Sequence, residues 1–196
     1  MVTPDRTQGA LIEDMTTATR TQLPTGTWQV DPAHSRVEFA VRHLGIATVR
    51  GAFREFEGTL ELDEGRAYGT VNAASLDTND DKRDEHLRSP DFFEVVEHPE
   101  LRFESTEIRP LGEDTFEIEG DLTIRGATNP IVLRAEFQGS ETDPWGNERI
   151  GLEVRGKLDR SAWGMTFNRV LGSGNMMVSD RVKLQLDISA VKQVSR

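Results

Sequence analysis

The chain has 196 residues, of which 36% are hydrophobic, and it carries a formal net charge of −11 at pH 7. This length fits a single domain with a real core. The negative charge argues against nucleic acid and anionic membrane surfaces as general partners, because both repel a net-negative protein. The absence of cysteine excludes disulfides, thiolate nucleophiles and cysteine metal sites.

Residues 1–24 are rich in Thr and other polar residues and show no sustained periodicity. They predict a disordered N-terminal extension, with a short amphipathic helix around Ala10–Met15 as the alternative. The basic start and apolar run of a secretory signal are missing, and no stretch approaches the roughly 18 apolar residues that span a bilayer. We therefore expect a cytoplasmic protein without stable membrane insertion, whose folded domain occupies residues 25–196.

The first strand of this domain has an apolar row that ends on a histidine. The apolar residues Val37, Phe39 and Val41 occupy odd positions of this strand and alternate with mostly polar residues at the even positions. The row continues into His43, just before Gly45. Two interpretations of His43 stay open, a ligand contact at the end of the strand or a core histidine bonded to a backbone carbonyl. His34 lies one position off the row and is predicted to stabilise the Asp31–Pro32 turn.

Alternation of apolar and polar residues recurs along the rest of the chain, at 60–63, 116–125, 131–137, 150–158 and 182–188. Turn-forming residues lie between these runs, at 62–69, 110–114, 126–130 and 143–147. Short connections of this kind favour an antiparallel meander, and the pattern indicates about eight strands.

One segment has the character of a helix, Asp80 to about Arg88, with acidic residues in its first turn and a basic residue near its end. A single short helix cannot cover the apolar face of so large a sheet. We therefore predict an all-β fold, a single antiparallel barrel, with a two-sheet sandwich as the rival. Gly120 and Gly156 on the inward face favour the barrel because they relieve crowding inside it.

Four long stretches carry a resemblance to a known family: DPAHSRVEFAVRHLGIATVRGAFREFEG at 31–58, AASLDTNDDKRDEHLRSPDFFEVVEHPELRFES at 73–105, GDLTIRGATNPIVL at 120–133 and DRSAWGM at 159–165. In order and spacing they resemble the YceI-like family of lipocalin-like polyisoprenoid-binding proteins, from Thr27 to about Val191. The resemblance implies an extended lipocalin-like barrel whose interior binds a long isoprenoid chain, such as a polyprenyl derivative or an isoprenoid quinone. Such a ligand would be transported, stored or sequestered.

The predicted ligand-binding residues fall into three groups. Inward positions of different strands form an apolar wall: Val37, Phe39, Val41, Phe53, Leu122, Leu133 and Val154. His43 is expected to contact a polar head group, with Arg42 and Arg83 as flanking charges. The loop at 161–179 contributes Trp163, Phe167, Met176 and Met177, which form either a gate or a seal over the barrel end.

Catalytic and metal sites find little support. The four histidines show neither the i, i+2 spacing of a strand site nor the i, i+4 spacing of a helix site, and no motif of a serine nucleophile or phosphate-binding loop is present. We expect no catalytic residue, no metal and no cofactor other than a bound lipid. The alternatives are a barrel isomerase or cyclase that uses His43 in proton transfer, and a filled barrel without ligand. A homodimer is left open.

Overall fold

The computed structural model describes residues 24–174 and 176–193, and its elements are β-strands, one α-helix and short 3₁₀ turns. The strands are β1 (Thr27–Val30), β2 (Arg36–His43), β3 (Ala47–Phe53), β4 (Phe56–Glu61), β5 (Arg66–Asn72), β6 (Leu76–Asp77), β7 (Glu100–Pro110), β8 (Thr115–Ile124), β9 (Ala127–Thr142), β10 (Glu148–Asp159) and β11 (Val178–Lys192). The helix α1 is Asp81–Arg88, and the 3₁₀ turns are Pro32–His34, Ala73–Ser75 and Arg160–Trp163.

The strands close into one antiparallel barrel. Along one edge β11 pairs with β10, and along its other edge it pairs first with β2 and then with β1. β1 and β2, β3 and β4, and β5 and β6 are successive parts of three long strands, each interrupted by a short break. The segments thus form eight barrel strands in the order of the chain, and the predicted all-β barrel is confirmed.

The up-and-down course of the strands gives the barrel two different ends. The "helix end" carries the connections 44–46, 78–99, 125–126 and 160–177, which include α1. The "turn end" carries the short connections 62–65, 111–114 and 143–147. The long and irregular segments therefore gather at one end of the barrel, where loops can vary without disturbing the strands.

Alternation along the strands places the apolar side chains inside. A main cluster fills one part of the interior and includes Phe116, Ile131, Leu133 and Val154. The interior glycines are contacted closely by large neighbours: a Cβ atom built on Gly156 would overlap Cδ2 of Leu133. Glycine at such a position makes room for the larger inward side chain beside it.

Helix α1 begins and ends where the sequence predicts, and its contacts attach it to the barrel. Asp80 is the N-cap, and its side chain accepts a hydrogen bond of 3.0 Å from the backbone N–H of Arg83. Arg88 donates to the backbone oxygens of Ala74 and Leu76 at 2.9 and 2.7 Å. These bonds hold the helix against the 3₁₀ turn Ala73–Ser75 and strand β6, at the end of the third long strand.

Neither α1 nor any other helix of the described residues is long and apolar enough to cross a membrane. The predicted extension over residues 1–24 lies, apart from Pro24, outside the described residues. The domain boundary at residue 25 and the cytoplasmic location stay predictions.

Candidate functional site

The barrel encloses a cavity of about 670 Å³. All eight barrel strands contribute apolar side chains to its wall, among them Val30, Phe56, Val71, Phe103, Ile118, Ile131, Leu158 and Leu184. A cavity of this size is in the range of about 300–1,000 Å³ that encloses a small organic ligand. Its wall is a continuation of the hydrophobic core, so the same inward alternation that folds the barrel also creates the cavity.

The seven predicted wall residues all line this cavity: Val37, Phe39, Val41, Phe53, Leu122, Leu133 and Val154. They come from strands far apart in the sequence, yet some lie side by side. Val37 pairs directly with Phe53 across β2 and β3. The rings of Phe39 and Phe53 have their centroids 5.6 Å apart, and Phe93 stacks edge-on against Phe53 at the same distance. Their contact with a ligand stays a prediction.

His43 lies at the helix end of the cavity, half-buried and part of the wall. Its cross-strand neighbours are Ala47 on β3 and Val178 on β11. Within the described part of the chain its ring has no hydrogen-bond partner, so the alternative of a ring bonded to a backbone carbonyl does not apply there. An unpaired imidazole at the end of an apolar wall is free to bind a polar atom of a ligand.

The two arginines predicted to flank a head group are both engaged elsewhere. Arg83 lines the cavity, but its Nε and Nη2 atoms donate to the hydroxyl and the carbonyl oxygen of Thr78, both at 2.7 Å. Arg42 lies outside the wall, and its Nη1 atom donates to the carbonyl oxygen of Ile46 and the hydroxyl of Thr48 at 3.4 and 3.3 Å. Both guanidinium groups therefore stabilise local turns.

Lys82 was missed by the sequence analysis. It belongs to α1, lines the helix end of the cavity and is exposed, with no ion pair among the described residues. His86, four residues further along the helix, also lines the cavity and hydrogen-bonds to Asp91 at 2.8 Å. The i, i+4 spacing of these two residues is the signal that could have placed them on one face of the helix.

Of the four residues predicted to form a gate or seal, two line the cavity and two do not. Phe167 and Met177 line the cavity, as does the buried Met165. Trp163 is buried outside the wall, where its Nε1–H donates to the backbone oxygen of Leu122 at 2.9 Å. Met176 is exposed and does not line the cavity. Neither Trp163 nor Met176 lines the cavity, although both were predicted to bind the ligand.

An aromatic contact holds the loop on the helix. The ring of Phe167 lies edge-on to His86 with a centroid distance of 4.8 Å, and 5.4 Å from the ring of Phe92. We call these three residues the aromatic latch. Buried Arg160 fixes the base of the same loop, since it donates to Asp180 at 2.8 Å and to the backbone of Met165.

The acidic groups with the most strongly lowered pKa values, Asp31 and Asp143, do not line the cavity. At the turn end, hydrogen bonds from Arg149 and then His34 lower the pKa of Asp31 to about 2. Arg149 also binds Asp143, and the hydrogen bonds of Asn147 and Arg149 hold the pKa of Asp143 well below its usual value. Across residues 24–174 and 176–193, no group of three His, Asp or Glu side chains converges as a metal site.

Comparison with known proteins agrees with this architecture. The family model described as a YceI-like domain matches residues 28–190. A UPF0312 protein of Azotobacter vinelandii is 37% identical over 165 residues, which cover 82% of this chain and 83% of that protein.

Two solved structures have a similar fold. The YCEI protein of Campylobacter jejuni superposes with a TM-score of 0.68 at 28% identity, covering 78% of this chain and 90% of that one. A polyisoprenoid binding domain from Saccharophagus degradans, implicated in plant cell wall breakdown, superposes with a TM-score of 0.67 at 16% identity, covering 85% and 98%. The family match spans most of the chain, and the chain therefore belongs to the YceI-like family.

Proposed function

We propose that the protein binds a long-chain isoprenoid lipid, a polyprenyl derivative or an isoprenoid quinone, inside the barrel and carries, stores or sequesters it without catalysis. The observation that supports this proposal is the apolar cavity of about 670 Å³, to which every barrel strand contributes. The similar fold of a polyisoprenoid binding domain supports the choice of an isoprenoid.

The energetics of such a cavity favour exchange with a membrane. Each buried carbon contributes about 0.8 kcal/mol when a lipid leaves water, so a five-carbon isoprene unit gains about 4 kcal/mol. A lipid that comes from a bilayer is already in an apolar environment, and its transfer into the barrel gains little hydrophobic energy. A ligand can therefore enter and leave without a large free-energy difference, which suits a carrier.

The test begins with the lipid that the protein carries. Native mass spectrometry and organic extraction of the purified protein should recover an isoprenoid in about one copy per chain. Incubation of the protein with that lipid should leave its chromatographic retention and its NMR spectrum unchanged, because the proposal includes no reaction. A product of the same mass with a different retention time and a different NMR spectrum would instead support the isomerase or cyclase alternative.

A matched pair of variants tests whether the barrel interior is the binding site. Val154 points into the cavity, whereas Val132 lies exposed on the outer face of β9. Val154→Phe should lower the affinity for an isoprenoid alcohol such as geranylgeraniol, and Val132→Phe should leave it unchanged. Thermal unfolding of both variants checks that they fold. Equal affinities for the two folded variants, or no lipid on extraction and no binding in titration, would refute the proposal.

A further inference from the structure

Four exposed apolar side chains lie together at the helix end, and we call them the apolar rim: Leu44, Ile46, Val170 and Met176. They make up half of the large exposed hydrophobic residues in the described part of the chain. The rim comes from two segments that are joined by backbone bonds, since Leu44 N–H donates to Met177 O at 2.8 Å and Val170 forms a β-bridge with Met176. Clustered exposed hydrophobic residues indicate an interaction surface.

The rim adjoins the cavity directly. His43 and Met177, each next to a rim residue in the sequence, both line the cavity wall, and so does Val178. A lipid that passes between the cavity and the outside at this point crosses the rim. The position of the rim therefore connects an exposed apolar surface with an apolar interior.

The outer surface next to the rim carries a row of unpaired cations. Lys157 on β10 lies directly opposite Lys183 on β11, and Lys183 pairs with Ala40, whose other neighbour is Arg50 on β3. None of these three cations forms an ion pair with any described residue. Like charges directly opposite each other destabilise a sheet, so this basic row is a cost to the fold that an anionic partner would offset.

Acidic residues are absent from the two segments that form this region. The chain has 34 Asp and Glu residues, but none lies in 39–53 or in 160–179, where Arg42, Arg50 and Arg169 occur. The connections of the turn end have the opposite character, with acidic residues and no Lys or Arg: Asp63, Glu64, Glu113, Asp114 and Asp143. The remaining long connection of the helix end, 78–99, carries seven acidic residues against three Lys and Arg. The excess of cations is therefore confined to the part of the helix end formed by 39–53 and 160–179.

We propose that the part of the helix end formed by 39–53 and 160–179 docks on an anionic phospholipid bilayer, with the apolar rim at the boundary of head groups and acyl chains and the basic row facing lipid phosphates. Exposed hydrophobic residues and nearby cations together give reversible binding to such a surface. The inference rests on the proposed function for its purpose, since a bilayer is where an isoprenoid would be collected or delivered. The evidence for docking is the exposed apolar rim and the unpaired cations beside it, and neither depends on the proposed function.

The net charge of −11 does not prevent this orientation. Strand β11 has 15 residues, and at about 3.3 Å per residue it extends roughly 50 Å. The Debye length at physiological ionic strength is about 8 Å. The acidic turn end is therefore screened from the bilayer by several Debye lengths when the helix end faces the membrane.

The lack of cysteine allows a direct test of orientation. Ile46 in the rim and Trp145 at the turn end are almost equally exposed, at 80% and 82%. Ile46→Cys and Trp145→Cys each accept one nitrobenzoxadiazole label, whose emission shifts to the blue in an apolar environment. Vesicles of phosphatidylglycerol should shift the emission at position 46 and leave that at position 145 unchanged, and vesicles of phosphatidylcholine should have a much smaller effect.

A second pair of variants tests the cations. Lys157→Gln combined with Lys183→Gln should weaken binding to phosphatidylglycerol vesicles by about fivefold for each cation removed. Arg66→Gln combined with Arg109→Gln removes the same charge near the turn end, where both arginines already pair with glutamates, and should leave vesicle binding no weaker. Vesicle binding of the wild type should also fall steeply with added salt.

Several results would overturn docking: a label at position 46 that does not respond, equal responses at both positions, or unchanged binding in the Lys157 and Lys183 double variant. A shift at position 46 without vesicles, accompanied by a doubled mass in sedimentation, would identify a second copy of the chain as the occupant and would also overturn it. Titration of geranylgeraniol without vesicles separates this inference from the proposed function. If the protein binds vesicles but no isoprenoid, docking stands and the lipid-binding proposal fails.

Discussion

Replacement of His43 by leucine tests whether a polar head group is bound at the helix end. The imidazole lies half-buried on the cavity wall, between Ala47 and Val178 on the neighbouring strands, and has no hydrogen-bond partner in the described residues. Leucine places an apolar side chain of similar length at this position, and the substitution removes no observed hydrogen bond. The stability of the His43→Leu barrel should therefore change by less than about 1 kcal/mol.

The expected loss of affinity follows from a single lost hydrogen bond. A hydrogen bond that involves a charged group contributes about 1.5–3 kcal/mol, which corresponds to roughly tenfold to a hundredfold in the dissociation constant. Lipids with an anionic head group should lose this factor in His43→Leu, and lipids with a carbonyl head group should lose a smaller one, because a neutral hydrogen bond contributes about 0.5–1.5 kcal/mol. A hydrocarbon of the same chain length has no group for the imidazole to bind, and its affinity should stay the same.

The assay is a pair of calorimetric titrations, one with a polyprenyl phosphate and one with the corresponding hydrocarbon, on both the wild type and His43→Leu. His34→Leu is the matched control, because the His34 ring lies exposed in the 3₁₀ turn between β1 and β2, does not line the cavity, and hydrogen-bonds to Asp31 at 2.8 Å. Equal losses for the two ligands, or no loss for either, would show that His43 only packs the end of the barrel.

Three further predictions concern stability and exchange. A Cβ atom on Gly120 would lie 2.5 Å from Cζ of Phe103, so Gly120→Val should destabilise the barrel by about 1–3 kcal/mol in urea unfolding, and Gly112→Val, with no atom within 4 Å, should not. Asp31 loses its stabilising contribution as the pH falls from 3.8 to about 2, so the difference in urea midpoint between wild type and Asp31→Asn should shrink across that window; a constant difference would contradict it. Phe167→Ala removes the latch and should speed the release of bound lipid in stopped-flow fluorescence at least severalfold, whereas an unchanged rate would show that the loop does not limit release.

The strands and the cavity wall could be predicted because successive side chains of a strand point alternately into and out of the barrel. Once Val37, Phe39 and Val41 are placed inside, their partners on the next strand follow from the same parity. Closure of the barrel is also visible in the structure at a single pair of residues: Ser35 donates to the backbone oxygen of Ser189 and accepts from its N–H, at 3.1 and 2.9 Å. That pair is 154 residues apart in sequence, and alternation within each strand does not specify it.

Side chains outside regular strands were harder to place. The loop at 161–179 has no periodicity, so its apolar residues could be identified as a group but not assigned to the cavity or the surface. Trp163 lies in a 3₁₀ turn and is buried with its indole bonded to Leu122 of β8. Met176 forms an isolated β-bridge with Val170 and is exposed. Arg42 looked like a head-group contact because it precedes His43, although strand alternation points it to the outer face.

The aromatic latch allows a gate and a seal to be the same structure at different times. Phe167 makes two ring contacts, with His86 and with Phe92, and each such pair contributes about 0.5–1.5 kcal/mol beyond its buried area. A total of about 1–3 kcal/mol lowers the open population of the loop by roughly 5-fold to 150-fold relative to a loop without these contacts. Because Val170 and Met176 belong to the same loop as Phe167, a bilayer that binds the apolar rim acts on the segment that closes the cavity. If the open loop presents more apolar surface to the bilayer than the closed loop, docking raises the open fraction, and lipid exchange is faster at the membrane than in solution.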